Sequence, residues 1–473
     1  MKKVFFILLA TGWYCTSAAQ SYKISLQSNY KSGIAYLTHH AGINLNVDDS
    51  AAVAQNGKAV FQGKRILPPG IYAVVFPGKR LSADFLLGKE QNVDIVADSN
   101  NLAKMQVAGS RENILFQEYQ QYVAKQGSLL NQEREAFNSA RTAKDSAMHQ
   151  NNYKKYNTEL NEYRNGIIKN KPSSMMSIIL NAMKESPMPV KIPVTRQDSV
   201  DNYQYYKSHY WDGITFMDDA IVRTPFFLVK LQRYYRDVMS QEADSIIRDA
   251  DYKLLLARSS PEMYKYLLNW LTDEYINPKY MGQDAVFVHL FNKYHSKGLS
   301  PWLNEKQNEA ITRRAYMLMA NLVGERAANL EMLDTLGKVT ALYDVKADYT
   351  VVIFWDPNCG HCKEEVPRLD SFYRAVWKAQ NVKMYAVNTE YDTDSWKKFI
   401  NAKDLTDWQH VHYTLQMLKA DTEAQKPSFR QLYDITQTPT VYLLDKEKRI
   451  IGKKLTPQQL NDLLQVKVKT NRK

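Results

Sequence analysis

The stretch Tyr349–Trp355 is an almost continuous apolar run, and within four residues it reaches Cys359-Gly360-His361-Cys362. A run of that kind is the signature of a central strand covered on both faces, as in α/β folds with helices on either side of a sheet. An amphipathic helical pattern follows and extends through Ala379. The two cysteines therefore sit where a buried strand ends and a helix opens.

That placement has chemical consequences. At a helix start the first sulfur meets unpaired N–H groups and the positive end of the helix dipole, which stabilise a thiolate. Cys359 is thus the expected nucleophile, and Cys362, one turn inside the helix, the resolving thiol. The chain has 3 cysteines, and the third, Cys15, lies in a segment expected to be removed. No other thiol remains to scramble the bond. A zinc site would need two further ligands, and no second cysteine pair exists. His410 and His412, alternating about Val411, read more simply as two residues on one face of a strand. Cys359 and Cys362 therefore read as a redox-active disulfide, with no metal and no cofactor expected.

Residues 1–19 have the layout of a secretory signal: Lys2-Lys3, the apolar stretch Val4–Ala10, then Thr16-Ser17-Ala18-Ala19 before Gln20. The apolar part is too short to span a bilayer, which takes about 20 residues. Cys15 suggests lipid attachment as a lesser alternative, opposed by bulky Trp13 and Tyr14. The formal charge of +12 falls to +10 when Lys2 and Lys3 leave, a mild excess without a dense basic patch or nucleic-acid motif. No nucleic-acid partner is expected. The run Lys467–Lys473 reads as a frayed, solvated tail.

At 473 residues the chain calls for about three domains. Residues 20–110 read as a small antiparallel β domain, with Ile24, Leu26, Ala35, Leu37, Ala59, Phe61, Tyr72, Val74 and Phe76 in alternating runs. Asn56-Gly57, between Val53 and Val60, predicts a hairpin. Residues 111–323 form an all-α domain. There Tyr153, Tyr156, Leu160, Tyr163 and Ile167 mark an apolar helix face, and Thr224-Pro225 and Ser260-Pro261 mark helix starts. Gly324 closes its last helix. Residues 324–473 alternate strand and helix, the order of a thioredoxin-like α/β sandwich with one extra strand–helix unit.

Cys359-Gly360-His361-Cys362 followed by Lys363-Glu364-Glu365-Val366-Pro367, with Thr438-Pro439 downstream, resembles the thioredoxin superfamily and, more narrowly, the exported TlpA/ResA-like thiol-disulfide oxidoreductases. The resemblance covers roughly residues 324 to 466. It implies a cis-proline at Pro439, whose missing N–H leaves the Thr438 peptide group free to pair with an extended substrate strand. It implies that Glu365, three positions beyond Cys362, handles that thiol's proton. Trp355 and His361 join Thr438 and Pro439 as expected substrate contacts. A protonated His361 beside the thiolate would make the couple more oxidising. The upstream regions resemble poorly characterised β-rich and helical domains found ahead of such modules in Gram-negative envelope proteins.

The function expected is reduction of protein disulfides in the periplasm, supplied by an upstream electron donor embedded in the membrane. A disulfide isomerase or oxidase would use the same residues. A peroxidase is disfavoured, because Asp356 stands where that branch carries a threonine. An envelope binding or scaffold protein with an accessory redox module is the alternative from another class, since some 300 residues precede the thiols.

Overall fold

The structure, a computed structural model, describes residues 21–189 and 192–471. The expected signal segment 1–19 lies outside the described residues. Contacts group the chain into two compact units. One runs up to Met239 and includes Leu255–Tyr266; the other comprises Ser240–Leu254 and the chain from Leu267 on. The helical stretch expected at 111–323 is thus shared between them.

The first unit begins with eight strands: β1 Tyr22–Ser28, β2 Ile34–Ala41, β3 Asn44–Ala52, β4 Lys58–Gly63, β5 Gly70–Val75, β6 Ser82–Leu87, β7 Asn92–Ala97 and β8 Gln106–Ala108. They form two four-stranded sheets, ordered β4-β1-β7-β8 and β3-β2-β5-β6. Ile24, Leu37, Phe61, Tyr72, Val74 and Phe76 are fully buried in one cluster. β1 and β7 pair in parallel, the one departure from antiparallel order here. Parallel neighbours need a crossover, and β5 and β6 in the opposite sheet lie on that path.

Asn56-Gly57 does make a tight turn, with the Gly57 amide donating to the Ala54 carbonyl at 2.8 Å. It is not the hairpin the sequence predicts, because β4 pairs with β1 and β3 with β2. The turn carries the chain from one sheet to the other. Gly57 has φ +82°, and a Cβ there would meet the Ser28 carbonyl oxygen at 1.9 Å.

Helices follow: α1 Arg111–Ser139, α2 Ala143–Asn170, α3 Met175–Met183, α4 Arg196–Ser208, α5 Pro225–Arg233, α6 Ala243–Leu256, α7 Pro261–Tyr275, α8 Asp284–Lys293 and α9 Glu305–Met319. α5 and α7 start at the prolines the sequence singles out. On α2 the predicted face is buried only at Leu160 and Ile167, whereas Tyr153 is exposed. α9 ends at Met319, and the Gly324 amide instead donates to the Ile450 carbonyl at 2.7 Å.

The second unit carries a seven-stranded sheet, ordered β10-β9-β13-β12-β11-β14-β15. Its elements are β9 Glu331–Asp334, β10 Val339–Ala341, β11 Tyr349–Trp355, α10 Gly360–Phe372, β12 Val382–Asn388, α11 Thr393–Ala402, β13 Gln409–His412, α12 Leu415–Glu423, α13 Phe429–Leu432, β14 Thr440–Leu444, β15 Ile450–Lys453 and α14 Pro457–Asn471. β11 is buried at every position and lies between parallel β12 and antiparallel β14. Its side chains supply two cores: Val351, Ile353 and Trp355 face Cys362, Val366 and Leu369, while Val352 and Phe354 face Tyr385, Tyr433 and Tyr442. The run Lys467–Thr470, expected to fray, continues α14 as a solvated helical end. Among the described residues no helix is long and apolar enough to cross a membrane.

Candidate active site

Cys359 is the N-cap residue of α10, in extended backbone at φ −69° and ψ 128°, directly after β11 and a three-residue turn. The turn is held by Asp356, whose carboxylate accepts from the Asn358 amide at 2.8 Å and whose own amide points at Cys362 Sγ, 3.5 Å away. Both cysteines are free thiols. Cys359 is half-buried and Cys362 fully buried.

The two sulfurs have opposite electrostatics. Burial pushes the Cys359 thiol up, but hydrogen bonding from the Thr438 side chain and from the Cys362 and His361 amides outweighs it, and the net shift is downward. Those amides are the unpaired donors of a helix N-terminus, available to a sulfur anion at the cap. At Cys362 burial dominates, and its thiol is pushed up to about 12. Opposite the pair, the Thr438–Pro439 peptide is cis. The Thr438 carbonyl accepts from Cys359 Sγ at 3.4 Å, and Thr438 and Pro439 are half-buried. An acidic, accessible sulfur beside a basic, buried one is the arrangement for attack on a disulfide followed by internal resolution.

Residues 323–453 match the AhpC/TSA family. The chain is 38 % identical to a domain of a possible thiol-disulfide isomerase from Cytophaga hutchinsonii over 32 % of this chain and 97 % of that one, with a TM-score of 0.28. The chain belongs to the thioredoxin-fold thiol-disulfide oxidoreductases. The thioredoxin domain of a thiol-disulfide oxidoreductase from Bacteroides vulgatus is 28 % identical over 31 % of this chain and 97 % of that one, TM-score 0.27. A thioredoxin-like protein from Bacteroides caccae is 20 % identical over 60 % of this chain and 99 % of that one, TM-score 0.46. Upstream, residues 22–116 and 139–321 match two domains of unknown function, DUF4369 and DUF5106. Among curated proteins none matches.

In this oxidoreductase the other expected site residues are placed unequally. His361 is exposed on the first turn of α10, beside the sulfurs. Glu365 is half-buried one turn beyond Cys362, and its carboxylate accepts from Arg368 at 3.0 Å. Trp355, expected to touch substrate, is fully buried, which is a correction. It ends a strand covered on both faces, and its ring packs against Phe399 and His410, with centroids 5.2 and 6.3 Å away. It supports the site from below and offers no surface to a partner.

Two residues near the thiols escape sequence reasoning. Asp356 enters the sequence argument only as a departure from a peroxidase pattern, yet it shapes the turn and approaches the resolving sulfur through its amide. Asp434, four residues before Thr438, is 1 % exposed with φ +46°. A buried aspartate in left-handed backbone carries no local signal, because the cation that explains it, Arg314, lies 120 residues away.

Proposed function

We propose that this chain is an exported enzyme that reduces disulfides in proteins of the bacterial periplasm, cycling Cys359 and Cys362 between dithiol and disulfide. The reading rests on the asymmetry of the two sulfurs. The Cys359 thiolate attacks one sulfur of a substrate disulfide, forming a mixed disulfide and expelling the other sulfur as a thiolate that takes a proton. Cys362 then loses its proton and attacks Cys359. The Cys359–Cys362 disulfide forms, and the second substrate sulfur leaves reduced. The substrate gains two electrons and two protons, and an upstream donor in the membrane must return the two electrons to the enzyme.

The remaining roles follow from position. Pro439 has no N–H, so the Thr438 peptide group beside Cys359 is left for an extended substrate segment. Glu365, three residues past Cys362 on the same helix face, takes up the proton that Cys362 must lose. The export assignment is supported by the sequence pattern of residues 1–19.

The reduction potential of the Cys359–Cys362 couple tests the direction. A value near that of thioredoxin, about −270 mV or lower, fits a reductase. A value near about −180 mV or higher fits an isomerase or oxidase instead. The second outcome has its own motivation, because the stabilised Cys359 anion and the neighbouring His361 both favour the reduced form. Absence of a reversible couple would overturn the enzymatic reading of this site.

A further inference from the structure

The loop that faces Cys359 is held at both ends, and one hold comes from a helix outside the thioredoxin-like sheet and its covering helices. At its far end the loop passes through Pro439 into β14, which is paired to β11 and β15. At its near end stands Asp434, buried and in left-handed backbone. One carboxylate oxygen of Asp434 accepts from Arg314 Nη1 at 2.5 Å, and the other accepts from Lys454 Nζ at 2.7 Å. Arg314, on α9, is itself fixed: Nε donates to the Ile276 carbonyl at 3.2 Å and Nη2 to Asn277 Oδ1 at 3.1 Å. Aspartate is among the few non-glycine residues that adopt left-handed backbone, and its buried carboxylate is held there by the two cations.

We infer that Arg314 is a positioning residue for the redox site: through Asp434 it sets the place of Thr438 and Pro439 opposite Cys359. The inference rests on the reading of those two residues as the substrate-facing segment. Asp434 stands only four residues before Thr438, at most about 14 Å of chain, so the two are close neighbours along the loop. A neighbouring buried pair serves as the contrast. Lys453, on β15, pairs with Asp284 of α8 and donates to Asn321 Oδ1 at 2.9 Å. It ties α8 to the sheet and makes no hydrogen bond to the loop, although its charge acts on Asp434 from nearby.

The test compares Arg314→Met, Arg314→Lys, Asp434→Asn and Lys453→Met in the full chain. Asparagine accepts left-handed backbone, so Asp434→Asn removes the charge pairing and keeps the turn. Two quantities are read: the pH profile of Cys359 alkylation by iodoacetamide, and KM and kcat for reduction of insulin disulfides. Arg314→Met and Asp434→Asn are expected to raise KM by about tenfold and to move the alkylation profile to higher pH. Arg314→Lys recovers part of both, keeping the charge but losing the fork. Lys453→Met lowers the melting temperature and, having no bond to Asp434, moves both readouts far less. The inference is overturned if folded Asp434→Asn and Arg314→Lys keep the unmodified profile and KM, or if Lys453→Met shifts them as far. Should Arg314→Met not fold, those two variants decide on the same terms. Failure of the proposed activity would show separately, as an unmodified protein that does not reduce insulin, while alkylation still reports the placement of Thr438.

Discussion

β1 and β11 are both interior strands of their sheets, each paired on both sides, yet they behave differently. β1 alternates buried and solvent-facing positions, as a strand with one open face does. β11 has no exposed position. The difference is one of covering rather than pairing. A strand covered on both faces ends at a fixed point, and a residue placed just past that end inherits its rigidity. Cys359 sits there, with a helix N-terminus on one side and Thr438 on the other. The described end of β1 leads through Ser28 into a polar turn and holds no reactive group.

The sharpest way to break this contrast is to change one residue just past β11 and one on β1. Cys359→Ser is expected to lower disulfide turnover by about a thousandfold or more. Lys23→Ser, on the open face of β1, should leave turnover unchanged and stability within about 0.5 kcal/mol. Insulin reduction and thermal melting read both. Substantial turnover in the Cys359 variant would remove the reason for treating the end of β11 as special. Cys362→Ser should instead accumulate mixed disulfide, visible by mass spectrometry of the intact protein.

Core truncations come next. Trp355→Ala should cost about 3–5 kcal/mol and also disturb Cys359 alkylation, since the ring underlies the thiols. Ile24→Ala, fully buried in the N-terminal sandwich, should cost about 2–5 kcal/mol and leave alkylation untouched. Hydrogen exchange, which reports stability region by region, distinguishes the two.

A smaller effect is expected at Glu365. If its carboxylate receives the Cys362 proton, Glu365→Gln slows resolution of the mixed disulfide about tenfold or more in single-turnover experiments. If it serves only its exposed ion pair with Arg368, the change is at most about 1 kcal/mol of stability with no effect on resolution. The mildest comparison is between the sulfurs themselves. Alkylation of Cys359 should titrate below the ordinary thiol value, while Cys362 stays unreactive until strongly basic pH. The depressed Cys359 value also means that the stability its anion contributes is present above the ordinary thiol pKa and lost as pH falls through the depressed one.

Much of this was legible beforehand for identifiable reasons. The apolar run Tyr349–Trp355 has the short length and β-branched content that favour a doubly covered strand, and Thr224-Pro225 and Ser260-Pro261 act through local backbone geometry. The Asn56-Gly57 hairpin misled because the turn itself is local, whereas the pairing of β4 with β1 is decided between sheets. Trp355 misled for a related reason. An aromatic beside a reactive cysteine can face out or in, and only the layer over β11 determines which.

The sequence by itself determined the chemistry: two thiols at helical spacing after a buried strand, with a proline loop to face them. These are short-range properties, set by side-chain type, strand covering and the N–H groups of one helix turn. Tertiary structure alone decided that Trp355 is core and that Arg314 grips Asp434 from 120 residues away. Burial and charge pairing depend on what the rest of the chain brings alongside, and no local pattern encodes that.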